Sequence, residues 1–332
     1  MIVASLLLIG CSDSPSGPTI GPAVRLLVLD GANQTGVVGQ PTSVMPSVLA
    51  IDANNQPVPG VIVTFTVEPG GGTIATATAT TDAKGVATPG VWTLANSFAV
   101  RTLTATAAGL QPVTFTARGI APDAGIPAFN LTDPAGDTLG VGPTSARPKA
   151  HDVLGVRGDY KRDSVIVVFT FGGPVTPVSS GPEGVGGVLE IDIDNNGSTG
   201  ARAFSNSFGA TSSIGVEYVV DLFSATATST RLSTPAGDGP GVTVPASFSG
   251  STLTVRIPLQ LLGNDDGNFA FVGTIGTVDR PTDIFPNSGA GTARPGGGTA
   301  VSSLQSDVAA GTPRSIPVAR ARWAEMARSR LR

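Results

Sequence analysis

A chain of 332 residues is long enough for two ordinary domains, and its 40% hydrophobic, 5% aromatic and 13% charged residues, with 44 glycines and 27 prolines, suit many short strands joined by turns. A positive mean hydropathy of +0.22 excludes a wholly disordered polar chain; one histidine and one cysteine exclude a histidine-rich metal site and any internal disulfide. The formal charge of −4 divides into a basic tail, 314–332, with six arginines and one glutamate, and an acidic remainder, which argues against nucleic acid as a partner.

Residues 2–10 form an apolar run that ends at Cys11 and gives way to the turn-rich stretch 12–18. No run of 18 apolar residues occurs, so the sequence offers no membrane-spanning helix. Leu8, Ile9, Gly10 and Cys11 together resemble the lipobox of bacterial lipoproteins. That resemblance implies a signal peptide over 1–11, lipid on Cys11, and an exported protein whose membrane partner is reached through the lipid anchor. Ser12, where sorting signals carry Asp, then favours the outer membrane or cell surface. No Lys or Arg precedes the run, which leaves a start upstream of Met1 open. Residues 12–23 read as a linker.

Apolar or alternating runs recur at 24–29, 43–51, 61–67, 73–81, 91–94, 100–107 and 113–117, separated by Gly, Pro, Asn and Asp turns at 52–57, 69–72 and 82–85. Seven short strands in under 100 residues predict a β-sandwich over 24–119. Its motifs, in order, are Val48 to Asp52, Pro57 to Phe65, Gly70 to Gly72, Thr80 to Gly85, Trp92 to Leu94 and Val113 to Ala117. They resemble the bacterial Ig-like domains of the invasin/intimin group, which implies a stalk architecture more than an activity. Phe65 and Trp92, inside strand runs, are expected in the core, and Asp52 and Asp82 at turns.

Gly119 to Pro127 is rich in glycine and proline, so 120–127 is expected to be a short semi-rigid linker. Strands are then predicted near 152–157, 164–171, 187–194, 216–223, 242–248, 252–258 and 269–277, giving a second, larger sandwich over 128–288. The series Asp133 to Asp137, His151 to Val153, Leu189 to Asp194, Glu217 and Tyr218, Arg256 to Gly263 and Gly267 to Phe269 resembles DOMON-like, jelly-roll-type sandwiches. These include the C-terminal module of glucodextranases and family 9 carbohydrate-binding modules. The resemblance implies a carbohydrate-binding surface in some members and haem in others. With His151, Met45 and Met326 as the available axial ligands, the haem role fits poorly.

Within that module, period-2 alternation places Glu190, Asp192 and Asp194 on one strand face and the aliphatic side chains on the other. Neighbours about 6.6 Å apart repel by roughly 2.5 kcal/mol at an effective dielectric of 20, which a cation would relieve. Asp192, Asp194, Asn196 and then Gly197 match the first half of a calcium loop, but Ala203 stands where an EF-hand has its bidentate Glu. Glu190, Asp192, Asp194 and Asn196 are therefore a candidate Ca2+ site, completed from afar by Glu217, Asp221 or Asp133. The alternative is a solvated acidic face running into an Asn-Gly turn. Asp265 to Asn268 and Asp133 to Asp137 read first as turns and second as cation ligands.

No Gly-x-Ser-x-Gly elbow frames a serine, and the one histidine, His151, would have to serve any Ser/His/Asp arrangement. Glu190 with Glu217 is the pair a glycoside hydrolase would use. Tyr160, Tyr218 and Phe223 are the aromatics that could stack on a sugar. Residues 289–332 read as a Gly-rich spacer and basic tail, in which Ala319, Trp323, Ala327 and Leu331 share a helical face, with a solvated terminus expected. The sequence thus predicts an all-β chain of two sandwiches in tandem that requires no cofactor and is not an enzyme. The Ig-like module would be a spacer that presents a polysaccharide-binding surface; a structural or adhesive envelope protein, or a carbohydrate-active enzyme, are the alternatives.

Overall fold

The computed structural model describes residues 19–139, 149–181, 184–235, 241–299 and Trp323. Cys11, its lipobox, and the tail residues Ala319, Ala327 and Leu331 lie outside the described residues. The first module holds ten strands: β1 (Arg25–Asp30), β2 (Gln34–Val37), β3 (Ser47–Ile51), β4 (Ile62–Val67), β5 (Thr73–Ile74), β6 (Thr78–Thr80), β7 (Val86–Ala87), β8 (Trp92–Thr93), β9 (Val100–Ala107) and β10 (Val113–Ile120). One sheet runs β2-β10-β9-β4-β6, a second β1-β3-β7, and β5 pairs with β8.

Threonines alternate with apolar residues along β4, β9 and β10, so Val63, Phe65, Leu103, Ala105, Phe115 and Ala117 turn inward against Leu26, Val48 and Ala50 of the other sheet. Trp92 lies at the centre, fully buried, its indole N–H donating to the Gly71 carbonyl at 3.0 Å. The run expected as one strand over 73–81 is two, because β5 pairs with β8 while β6 pairs with β4. Asp52 and Asp82 close turns, each accepting backbone N–H groups two and four residues on.

Fourteen strands follow: β11 (Ile126–Thr132), β12 (Val153–Lys161), β13 (Ser164–Phe171), β14 (Gly186–Asp192), β15 (Ala201–Arg202), β16 (Gly215–Val216), β17 (Tyr218–Asp221), β18 (Ser229–Ser233), β19 (Val242–Ser249), β20 (Thr252–Pro258), β21 (Phe269–Gly276), β22 (Pro281–Phe285), β23 (Gly291–Ala293) and β24 (Gly298–Thr299). Twelve of them form one sheet in the order β22-β21-β14-β17-β18-β19-β20-β13-β12-β11-β24, with β23 also on β21. The sheet curls until its halves face each other. Val167, Phe169 and Leu253 from one half share a core with Leu189, Ile191 and Ile275 from the other, and the rings of Phe129 and Phe271 meet at 4.4 Å.

The outer side of one half is also covered. The segment 201–216 lays Ala203, Phe204, Phe208, Ala210 and Ile214 over Val188, Val219, Ala270, Val272 and Ile284. β14 and β21 are consequently buried on both faces along their whole length.

Two boundaries differ from expectation. The sandwich continues beyond 288, since β23 pairs with β21 and β24 with β11. Gly291 looks like a spacer glycine, but the Phe271 ring lies 2.3 Å from where its Cβ would be, so only glycine fits there. The linker is also shorter than expected, with β10 reaching Ile120 and β11 starting at Ile126.

The two modules share a packed joint. Phe98, on the loop before β9, is 1% exposed and belongs to the second module's apolar cluster together with Val38. Its ring meets Tyr160 edge-on at 4.8 Å, and the Tyr160 hydroxyl donates to the Gly267 carbonyl. Around it, the Phe98 N–H donates to Asp266 O (3.1 Å), Asn96 Nδ2 to Pro295 O (2.9 Å) and the Arg118 guanidinium to Asn264 Oδ1 (2.6 Å). Among the described residues no helix is long and apolar enough to cross a membrane.

Candidate metal centre

On β14, Leu189 and Ile191 enter the core, so Glu190 and Asp192 face the opposite way. That face is not solvated. Beneath the 201–216 segment Glu190 is 2% and Asp192 1% exposed.

The expected row of Glu190, Asp192 and Asp194 does not assemble. β14 ends at Asp192 and the chain turns through Asn195 with φ 53°, which takes Asp194 out of the strand's alternation. Glu190 is engaged elsewhere: its Oε2 accepts the Ser205 N–H (2.9 Å) and hydroxyl (2.6 Å), and its Oε1 accepts the Phe204 N–H. Those bonds satisfy the leading amides of the 3₁₀ turn Phe204–Phe208. Burial pushes the Glu190 carboxyl above its ordinary pKa, and the same hydrogen bonds oppose the shift.

Asn196 is framework rather than ligand. Its backbone N–H donates to Asp192 Oδ1 (3.2 Å) and Asp194 Oδ1 (3.0 Å), and its side-chain oxygen accepts the Ser198 N–H at 3.1 Å. Of the distant residues, Asp221 accepts the Phe223 N–H instead, and Asp133 joins a different group of carboxylates.

Glu217 is the residue that completes the cluster. One oxygen from each of Asp192, Asp194 and Glu217 lies within 4.8 Å of the others. Asp192 Oδ2 accepts the Gly215 N–H (3.0 Å), Asp194 accepts the Thr199 hydroxyl (3.0 Å), and Glu217 Oε2 accepts the Ile193 N–H (3.1 Å). Glu217 Oε1 is buried with no hydrogen-bond partner. Gly200, at φ 62°, packs against it: a Cβ there would stand 2.5 Å from Oε1. Burial pushes the Glu217 carboxyl up; the Ile193 N–H and the Thr199 hydroxyl oppose the shift, and the charges of Asp192 and Asp194 add to it.

Two unit charges within 4.8 Å of each other repel by at least about 3.5 kcal/mol at an effective dielectric of 20, before water at the exposed Asp194 screens its share. No lysine or arginine pairs with any of the three among the described residues. An ion with ligand distances of 2.3–2.6 Å can touch oxygens up to about 5 Å apart, so three hard carboxylate oxygens this close together can share a Ca2+ ion. The orphaned Oε1 of Glu217 fits such an ion, so the residues that would hold it are Asp192, Asp194 and Glu217.

Beside the cluster lies an open hollow of about 470 Å³, lined by Ile193, Gly200, Val216, Glu217, Tyr218 and Pro235. Tyr218 is partly exposed there, whereas Tyr160 and Phe223 are buried in the core. Of the Glu190/Glu217 pair, Glu190 has both oxygens engaged by Phe204 and Ser205, and only Glu217 lines the hollow.

No protein-family model matches this sequence, and no curated protein does. Among solved structures the chain is similar to the D0-D1 domain of intimin, at 9% identity and TM-score 0.24, covering 80% of this chain and 96% of that one. It is similar also to a tetra-tandem repeat from the extending region of a large adhesion protein, at 14% identity and TM-score 0.23, over 82% of this chain and 48% of the other. Domains 5-6 of the S-layer protein SbsC share 12% identity at TM-score 0.22, over 84% and 98% of the two chains. Likeness at this level assigns no function.

The sequence missed how completely Glu190 is enclosed. The signal was present in Ala203, Phe204, Phe208 and Ile214, an apolar series too irregular for a strand that is explained only as a cover for β14 and β21.

Proposed function

We propose that this chain is a non-catalytic binding protein displayed at the cell surface, tethered through lipidated Cys11, in which the first sandwich serves as a spacer and the second presents a carbohydrate-binding surface braced by Ca2+. One observation carries the reading: the partly exposed Tyr218 lines an open hollow together with Glu217, whose carboxylate also belongs to the Asp192/Asp194 cluster. An aromatic ring beside fixed polar groups is the usual chemistry of sugar recognition, apolar ring face on apolar sugar face with hydroxyls satisfied alongside. The packed joint at Phe98 supports the spacer role, since it would hold the binding face in a fixed orientation.

The test is calorimetry on the full chain against a panel of soluble polysaccharides, with CaCl2 and then with a chelator. Saturable heat that Tyr218→Ala removes and chelation weakens is the expected result. No heat with any glycan, in the presence of a Ca2+ ion that does bind, would refute carbohydrate recognition and favour the structural or adhesive alternative.

A further inference from the structure

A second group of carboxylates lies at a different place in the same sandwich. Asp133 follows β11, Asp137 sits in the turn beyond it, Asp152 precedes β12 and Asp283 lies in β22. One oxygen from each of Asp133, Asp137 and Asp283 lies within 4.8 Å of the others. Asp133, Asp152 and Asp283 are 8%, 6% and 1% exposed, while Asp137 faces solvent.

Their hydrogen bonds are incomplete in a particular way. Asp283 is satisfied on both oxygens, by the Val153 N–H (2.7 Å) and the Ile284 N–H (2.8 Å). Asp152 Oδ2 accepts the Gly136 N–H at 2.8 Å, and Asp133 Oδ1 is 3.3 Å from the Asn287 amide, which also donates to Asp137. That leaves Asp133 Oδ2 and Asp152 Oδ1 buried with no partner. Neither residue, nor Asp283, forms an ion pair among the described residues. Buried carboxylate oxygens almost always have a partner, and two orphans beside two more carboxylates mark a missing positive charge.

From this geometry we infer a second divalent-cation site, specific for Ca2+, held by Asp133, Asp137 and Asp283 with Asp152 beside them. The donor chemistry carries the choice of ion: Ca2+ takes about six to eight oxygens from carboxylates and carbonyls, whereas Mg2+ keeps several of its waters and avoids cages built from protein alone. The donor set is all oxygen, as Ca2+ requires, and draws on three separate segments, the turn after β11, the approach to β12 and β22 itself, so the ion would tie these strands together. In a chain without disulfides such a tie substitutes for a covalent one. Without a cation, burial and then the charges of Asp283, Asp137 and Asp152 push Asp133 up to about 9, and burial pushes Asp283 up to about 8.

The experiment uses the full chain with the first cluster disabled by Asp194→Asn and Glu217→Gln, titrated with CaCl2 and MgCl2 by calorimetry after metal removal. One Ca2+ per chain is expected to remain, Mg2+ at least tenfold weaker, with a Tm several degrees higher in Ca2+ than in chelator. Adding Asp137→Asn, at an exposed position, should abolish both effects; Asp133→Asn should do the same. If the disabled chain takes up no Ca2+ and Asp133→Asn raises Tm without metal, the group shares protons instead and the inference falls. The two sites separate cleanly, because a wild-type chain that binds one ion removed only by Asp137→Asn refutes the first cluster and leaves this one standing.

Discussion

Phe98→Ala tests whether the two modules form one mechanical unit. Phe98 belongs by sequence to the first sandwich, yet it is 1% exposed within the apolar cluster of the second, edge-on to Tyr160 at 4.8 Å. Truncating a buried Phe costs about 3–5 kcal/mol in lost transfer energy and cavity, and the ring pair adds about 0.5–1.5 kcal/mol. A loss near 4 kcal/mol would be a large share of a domain's usual 5–15 kcal/mol. It should fall on the second module and on the coupling, not on the first module's core around Trp92 and Phe115, which Phe98 does not touch. Scanning calorimetry of the wild type is expected to show the modules melting together, and Phe98→Ala should split the trace, the second module melting first. Small-angle scattering should show a larger radius of gyration for the variant at low temperature. A single transition lowered by less than about 1 kcal/mol would refute the joint as described.

Three further outcomes follow from particular side chains. Burial pushes Asp265 from 3.8 up to about 7, the Gly267 N–H opposing and the charge of Asp266 adding. The folded chain thus holds this proton more tightly than the unfolded one, so stability should fall as pH rises from about 4 to about 7, by at most about 4 kcal/mol. Asp265→Asn should flatten that slope in urea unfolding at pH 5 and pH 8; an unchanged slope would show that Asp265 does not carry it. Trp323 is fully buried against Phe223 at 4.9 Å, its indole N–H donating to Thr277 O at 2.8 Å. Trp323→Ala should therefore cost about 3–5 kcal/mol by chemical denaturation, and an unmoved midpoint would mean that the Trp323 ring is not packed as described. Glu190→Ala should cost about 1.5–3 kcal/mol through the stranded Phe204 and Ser205 amides while Ca2+ stoichiometry stays the same; a lost ion would restore Glu190 to the ligand set.

Sequence alternation carried most of the architecture because the physics of a half-buried strand is local. Val100–Ala107 was legible to the residue, since threonine and apolar side chains alternate there from Thr102 onward, and the polar/apolar alternation of β20 made it legible for the same reason. Short strands were not: β7 and β16 are two residues long and exist only because a partner strand passes by. The glycines after 288 read as spacer because composition cannot show that an aromatic ring rests on one of them.

The acidic strand shows where local reasoning ends. Alternation correctly separated Glu190 and Asp192 from Leu189 and Ile191, but it says only which side of the sheet a residue faces, not what lies on that side. Here the answer comes from residues 14 to 24 positions later. Phe204 and Ser205 return to take the Glu190 carboxylate, and Gly215 and Glu217 return to Asp192 and Ile193. One strand therefore carries two carboxylates with opposite fates. Glu190 is satisfied by backbone and hydroxyl donors and fastens the cover over β14. Asp192, one turn of alternation further on, meets Asp194 and Glu217 where donors run short, with Glu217 Oε1 left over. The difference between a structural carboxylate and a candidate ligand is thus the count of N–H and O–H groups delivered to it, a quantity fixed by the path of the chain rather than by the spacing of its acids.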